Sequence, residues 1–372
     1  MQIEPFALER YFARYEFTAR YLASCSDCDG LALEELLTLA DDQARALWRD
    51  LRLGYTESLG HPLLRAEIAS LYEGAAADDV LTGAPEELIF LAMNCLLEPG
   101  DHVIATFPAY QSLHQIAESM GCEVTRWQPD EGRGWLFDPE FVRANVHPRT
   151  KLIVANFPHN PTGALPSRAV FDEVVSIAHE RGIHLFSDEM YRWLELDPGQ
   201  RLPAGCEVYD KALSLSGMSK VFGLAGTRIG WLVTHDSALL ARIAALKDYT
   251  TICSSAPSEI LALMGLRARD RIVTRHVERI RHNLAELGQF LERRADLFAC
   301  VPPRAGTICL PRLLGEVSAD LFCRRAVEEA GVMIVPSSVF GWGDRHVRIG
   351  LGRAGLPEVL AKLEEYLART RF

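Results

Sequence analysis

Residues 214–231 read SLSGMSKVFGLAGTRIGW. A lone lysine, Lys220, follows a small polar run, and glycines and Arg228 come after it. Glycine permits left-handed backbone and close approach, whereas lysine is ordinarily a solvated surface residue. A lysine in so cramped a stretch is expected to project into a pocket, against something flat and anionic. The flanks of the stretch, KALSLSG and RIGWLVT, read as strands, and the pattern continues outward. IHLFSDEM (183–190), KLIVANF (151–157), EVTRWQ and HVIATF (102–107) have the apolar character of strands. Between them lie helical segments at 167–181, in YQSLHQIAESMG and in PEELIFLAMNCLL (85–97). Strands alternating with such helices predict an α/β fold: three layers around a mostly parallel sheet. Runs such as LIVA suit strands buried on both faces.

Beyond about residue 256 the period becomes helical, with a break expected near Asp270, and from GTICLPRLL onward strands mix with two helices. This predicts a smaller α+β domain. The opening segment, PFALERYFARYEFTARYLA, is read as a helix packed against it, since chains of this kind bring their ends together. The expected division is a large domain over 45–260 and a small domain built from 1–44 plus 261–372.

A chain of 372 residues exceeds one ordinary core. Its net charge of −11 argues against nucleic acid or an anionic membrane as the main partner. No apolar run reaches the ~20 residues that span a bilayer, and MQIEPFALERYF lacks a signal-peptide core, so a cytoplasmic location is expected. The nine cysteines lie mostly in apolar contexts and read as reduced core thiols. Cys25 and Cys28 form a CxxC without a second one at zinc-site spacing, which disfavours a metal or redox role.

In open α/β sheets ligands bind beyond the carboxyl ends of the strands, and the chemically able residues fall there. TGAPEE (82–87) brings Gly83 and Ala84 to a helix start, whose amides attract phosphate. The ordinary alternative is a helix capped by Thr82, and Pro85 has no N–H to offer. In SDEMY (187–191), Asp188 ends an apolar strand and needs a cation; Tyr191 follows within reach of the same ligand. Asn160 sits in the turn-rich NFPHNPTG, and Tyr110 of FPAY offers a flat ring. Arg348 of HVRIGL is an edge residue or, if buried in a cleft, a two-pronged carboxylate clamp. Together these groups suit an aldehyde cofactor joined to Lys220 as a Schiff base. Its phosphate meets Gly83, Ala84, Ser219 and Arg228; its ring nitrogen faces Asp188; its ring oxygen meets Asn160 and Tyr191; and Tyr110 stacks on its face. Pyridoxal 5'-phosphate, an electron sink, is that cofactor.

The chain resembles the class I/II aminotransferases of the type I pyridoxal-phosphate fold. YTESLGHPLLRAEIA, TGAPEE, FPAY, NFPHNPTG, SDEMY, SKVFGLAGTRIGW and HVRIGL occur in the family's order over roughly residues 50–350. The resemblance implies transfer of an α-amino group between an amino acid and a 2-oxo acid, with Arg348 and Asn160 on the substrate side. It implies a homodimer with shared active sites, in which Tyr55 reaches the neighbouring subunit's cofactor phosphate. Two features depart from the family. Gly217 stands where a phosphate-binding Ser or Thr is often found, and SCSDCDGLAL stands in place of a glycine-bearing N-terminal segment. ALERYF, NFPHNP and KDYTTICSSAPSE also resemble capreomycidine synthase. The alternative reading is therefore a lyase or cyclase acting on a β-substituted or modified amino acid.

Overall fold

A computed structural model describes residues 2–370. Seven strands form the main sheet: β1 (Val80–Gly83), β2 (His102–Thr106), β3 (Glu123–Trp127), β4 (Thr150–Asn156), β5 (His184–Asp188), β6 (Ala212–Gly217) and β7 (Gly230–Val233). They lie in the order β1-β7-β6-β5-β4-β2-β3. From β6 to β3 every pairing is parallel, and only β7 runs against both neighbours.

Both faces of the sheet are covered. Leu152 and Val154 of β4 join a core containing Leu88, Leu91 and Met93 of the helix Pro85–Leu96. The alternate residues Ile153 and Ala155 join a second core containing Phe171, Val174 and Ile177 of the helix Arg168–Arg181. Period-two side chains that are apolar on both faces explain why the strand reads as a continuous hydrophobic run. The three-layer, mostly parallel α/β architecture expected from the sequence is present.

At one edge, three glycines fall in register: Gly83 of β1 opposite Gly230 of β7, and Gly230 opposite Gly217 of β6. Pro85, opening the helix Pro85–Leu96, packs into the hollow they leave. A Cβ on Gly230 would come within 2.7 Å of Pro85 Cγ. A Cβ on Gly217 would meet Gly230 Cα at 3.0 Å, Ile229 O at 3.1 Å and Pro85 Cγ at 3.2 Å. The missing hydroxyl at 217 thus has a packing cause: the helix start is drawn too close to the sheet for a side chain there.

Toward the C-terminus, Ile308–Cys309, Val347–Gly350 and Val335–Pro336 make an antiparallel sheet of three strands with Val347–Gly350 in the middle. The N-terminal strand Tyr21–Leu22 pairs in parallel with Val332–Met333. The opening helix covers only Ala7–Tyr15, shorter than expected. The Thr18 hydroxyl bonds back to the carbonyls of Arg14 and Tyr15, and the chain turns into the strand. The expected helical break lies at Ala268, between the helices Ala256–Arg267 and Arg269–Arg293. After Leu22, residues 25–28 run across Gly350 and Gly352, where any Cβ would collide with the carbonyls of Cys25 and Asp27. This close approach carries the N-terminal segment over the carboxyl ends of β4, β5 and β6. Cys25 and Cys28 are buried free thiols, and burial pushes them up to about 11 and about 12.

Candidate active site

A cavity of about 440 Å³ opens at those carboxyl ends. Lys220, just after β6, lines it and donates from Nζ to Ser26 Oγ at 2.9 Å. Asp188, the last residue of β5, lines it as well and is buried. One Asp188 oxygen accepts from the Met190 amide at 3.1 Å. No Lys, Arg or His among the described residues forms an ion pair with it. Burial above all, with the neighbouring Glu189 carboxylate adding to it, raises the Asp188 carboxyl to about 7. A carboxylate so placed favours a cationic ligand group.

The loop after β4 is built by its own side chains. Asn160 N donates to Asn156 Oδ1 at 2.9 Å, and His159 Nδ1 meets Thr162 Oγ1 at 2.7 Å. Asn160 therefore faces the cavity as a fixed amide. Asn156 also donates to the Asp188 carbonyl at 3.3 Å, tying β4 to β5 at the site. Tyr191 is buried, and its hydroxyl donates to the Ser26 carbonyl at 3.0 Å. Tyr110 lines the wall, with its ring 4.7 Å from that of Phe6 and its hydroxyl donating to Glu9 Oε1 at 3.0 Å. Ser219 and Arg228 complete one end; Arg228 holds left-handed backbone at φ 55°.

Four sequence-derived candidates stand apart from the lining. Gly83 and Ala84 precede it in the chain, and Pro85 and Glu86 form the wall. Thr82 does not cap the helix: its hydroxyl lies 3.3 Å from Leu59 O and 3.4 Å from Glu259 Oε1, and Ala84 is the capping residue. Arg348 is no edge residue. It sits fully buried on the central strand of the C-terminal sheet, behind the cavity, donating to Asn160 Oδ1 at 3.3 Å and Ser24 O at 2.9 Å. Burial lowers its guanidinium pKa, and its Nε has no partner. Tyr55 lies outside the cavity and is 90% exposed.

Several site residues were not singled out from the sequence: Ser26, Asp27, Asn156, Glu86, and Glu9 and Phe12 of the opening helix. The signal for Ser26 and Asp27 was the glycine pair in RIGLG, which admits another backbone. No local pattern marks Glu9. Burial raises the Glu86 carboxyl to about 7, with Glu9 and Asp188 adding repulsion.

A buried acid, a lysine, a flat ring and an arginine line one cavity with the helix start at Pro85, a set that suits an aldehyde cofactor bearing a phosphate. The model of "Aminotransferase class I and II" matches residues 26–365, and the chain belongs to that family. It is 29% identical to capreomycidine synthase of Streptomyces vinaceus over 98% of this chain and 93% of that protein. It superposes on a PLP-dependent aminotransferase from Streptococcus suis with TM-score 0.93 and 31% identity, covering 100% of each chain. The PLP-dependent cyclase OrfR matches with TM-score 0.90 and 27% identity over 99% of this chain and 98% of that one. The protein is a pyridoxal-phosphate-dependent enzyme of the type I fold. Its residues fit that cofactor: Asp188 is a buried acid without a cation, and Lys220 presents an amine in the same cavity.

Proposed function

We propose that the protein is an aminotransferase that moves an α-amino group between an amino acid and a 2-oxo acid. The observation that carries this reading is one cavity holding Lys220 and the unpaired Asp188, backed by an Arg348 guanidinium bonded to the cavity residue Asn160. Lys220 Nζ is the amine that would hold the cofactor aldehyde and that, when free, would take the substrate α-proton and return it. Asp188 would keep a proton on the ring nitrogen. Asn160 and Tyr191 would orient the ring oxygen, and Tyr110 would pack on the ring face. Ser219 and Arg228 would hold the phosphate, with the backbone at Gly83 and Ala84 approaching from just outside the lining. Arg348, with Asn160, takes the substrate α-carboxylate. When bound, pyridoxal phosphate supplies a sink for the electron pair left at the α-carbon.

The working form is a homodimer. Tyr55 and Leu53 are 90% and 85% exposed. They sit on a segment pinned by the buried Glu259, which accepts from Thr56 Oγ1 at 2.8 Å and His61 N at 3.0 Å. A fixed, bare aromatic residue suits a partner subunit's site. The division into 45–260 and 1–44 plus 261–372 is supported by the pairing of Tyr21–Leu22 with Val332–Met333. No described helix is long and apolar enough to cross a membrane, and nine free thiols suit the cytoplasm.

A second reading, a lyase or cyclase on a modified amino acid, is favoured by the near full-length similarity to capreomycidine synthase and OrfR. The test is product analysis of the loaded enzyme given an amino acid and a 2-oxo acid. A new amino acid with matching keto acid supports transfer; ammonia or a cyclic product from the amino acid alone selects the second reading.

A further inference from the structure

The charged residues lining the cavity are Glu9, Asp27, Glu86, Asp188, Lys220 and Arg228. Asp27 is neutralised by Arg353, whose NH2 reaches its two oxygens at 3.0 and 2.9 Å. Under the proposal above, Asp188 is matched by a ring nitrogen, Lys220 by an aldehyde and Arg228 by a phosphate. Glu9 and Glu86 remain, and neither forms an ion pair among the described residues. Glu9 Oε1 accepts from the Tyr110 hydroxyl at 3.0 Å, which fixes the carboxylate and leaves its second oxygen without a donor. Glu86 accepts only from Ser112 Oγ, at 3.3 Å.

A second, independent feature also asks for a ligand. Arg348 is fully buried, has no acidic partner, and leaves Nε unbonded. Its guanidinium lies 5.8 Å from the ring of Phe12, and Phe12 is three residues from Glu9 on the helix Ala7–Tyr15. Residues so spaced share a helix face. A carboxylate held by Arg348 together with the lining residue Asn160 would lie near Phe12, about one helical turn from Glu9.

We propose that the substrate is an amino acid with a cationic side chain, an amine or a guanidine, and that Glu9, assisted by Glu86, selects it. The inference rests on the pyridoxal-phosphate reading of the cavity. A side-chain carboxylate would meet two acidic side chains in a confined site, an unfavourable match of the kind by which binding sites reject partners. A neutral isostere would leave the Glu9 oxygen unmatched.

The test uses the visible band of the cofactor-loaded protein, which responds to a bound amino acid under either reaction. Arginine is titrated against citrulline, and lysine against norleucine, with glutamate as the acidic probe. The inference predicts that the cationic member half-saturates at a concentration lower by about 10- to 100-fold. In Glu9→Gln that ratio should shrink toward unity. Equal responses, a preference for glutamate, or a preference unchanged in Glu9→Gln would overturn the inference while leaving the enzyme class intact. No response to any amino acid would overturn the catalytic reading as well. Should Glu9→Gln fold poorly, the wild-type arginine-to-citrulline ratio decides alone.

Discussion

Lys220 Nζ donates to Ser26 Oγ at 2.9 Å across 194 residues of sequence. The Tyr191 hydroxyl reaches the carbonyl of the same serine at 3.0 Å. The N-terminal segment is thus a wall of the site, and the candidate nucleophile is held by a hydroxyl it can leave. A single side-chain hydrogen bond contributes only about 0.5–3 kcal/mol net, so Ser26 steadies the amine without committing it.

Lys220→Ala removes the amine and should abolish the bound-cofactor band. Turnover should fall by about a thousandfold or more, since one group serves as both attachment point and base. The absorbance spectrum and a product assay on the same preparation check both; wild-type-like turnover would contradict the assignment.

Asp188 gives a prediction with a sign. Its folded-state carboxyl is raised to about 7 from an ordinary 3.8. As pH rises from about 4 to 7, the unfolded chain gives up this proton while the cofactor-free folded state keeps it. The stability associated with Asp188 is therefore present at low pH and lost as pH passes about 7. Asp188→Asn should stabilise the cofactor-free protein at pH 8 by about 2–4 kcal/mol, do little below pH 4, and lose activity. Urea unfolding at the two pH values measures this; equal effects at both would contradict it.

Arg348→Lys keeps a positive charge and loses the fork. The expected result is a rise in KM for amino acids of about 10- to 100-fold, with cofactor retention unchanged. Steady-state kinetics alongside cofactor titration separate the two, and an unchanged KM would move the carboxylate site elsewhere.

Gly217→Ser adds the hydroxyl that the family resemblance implies at this position and should be harmful. Its Cβ would sit 3.0–3.2 Å from Gly230, Ile229 and Pro85, pressing the helix start off the sheet. Overpacking of this kind costs about 1–3 kcal/mol. A thermal shift shows it; a neutral or stabilised variant would mean the glycine register tolerates a side chain.

Much of the site was legible because its parts are local. Asn160 and Lys220 follow, and Asp188 ends, strands with an unmistakable apolar run, and the rule that ligands bind beyond strand ends brings them together. Arg348 was legible as a residue but not as a position, because a strand of four residues does not announce whether it is central or at an edge. Ser26 and Asp27 were marked only indirectly, by the glycine pair in RIGLG, and Glu9 by no local pattern. They reach the cavity through contacts with residues hundreds of positions away, such as Ser24 Oγ with the Arg348 carbonyl. The opening helix is shorter than its sequence suggests because Tyr15, Ala19 and Leu22 continue the helical i, i+4, i+7 spacing, and the pairing of Tyr21–Leu22 with Val332–Met333 overrides it.

The central claim is that Lys220 and Asp188 serve a cofactor that accepts an amino group. The most direct test is the visible spectrum of the purified, cofactor-loaded protein while one amino acid is added without a 2-oxo acid. The account predicts that the yellow band bleaches to the aminated-cofactor band, with one equivalent of keto acid released per site. A yellow band that persists while ammonia or a cyclic product accumulates would contradict amino transfer. A protein that takes up no cofactor would contradict the site itself.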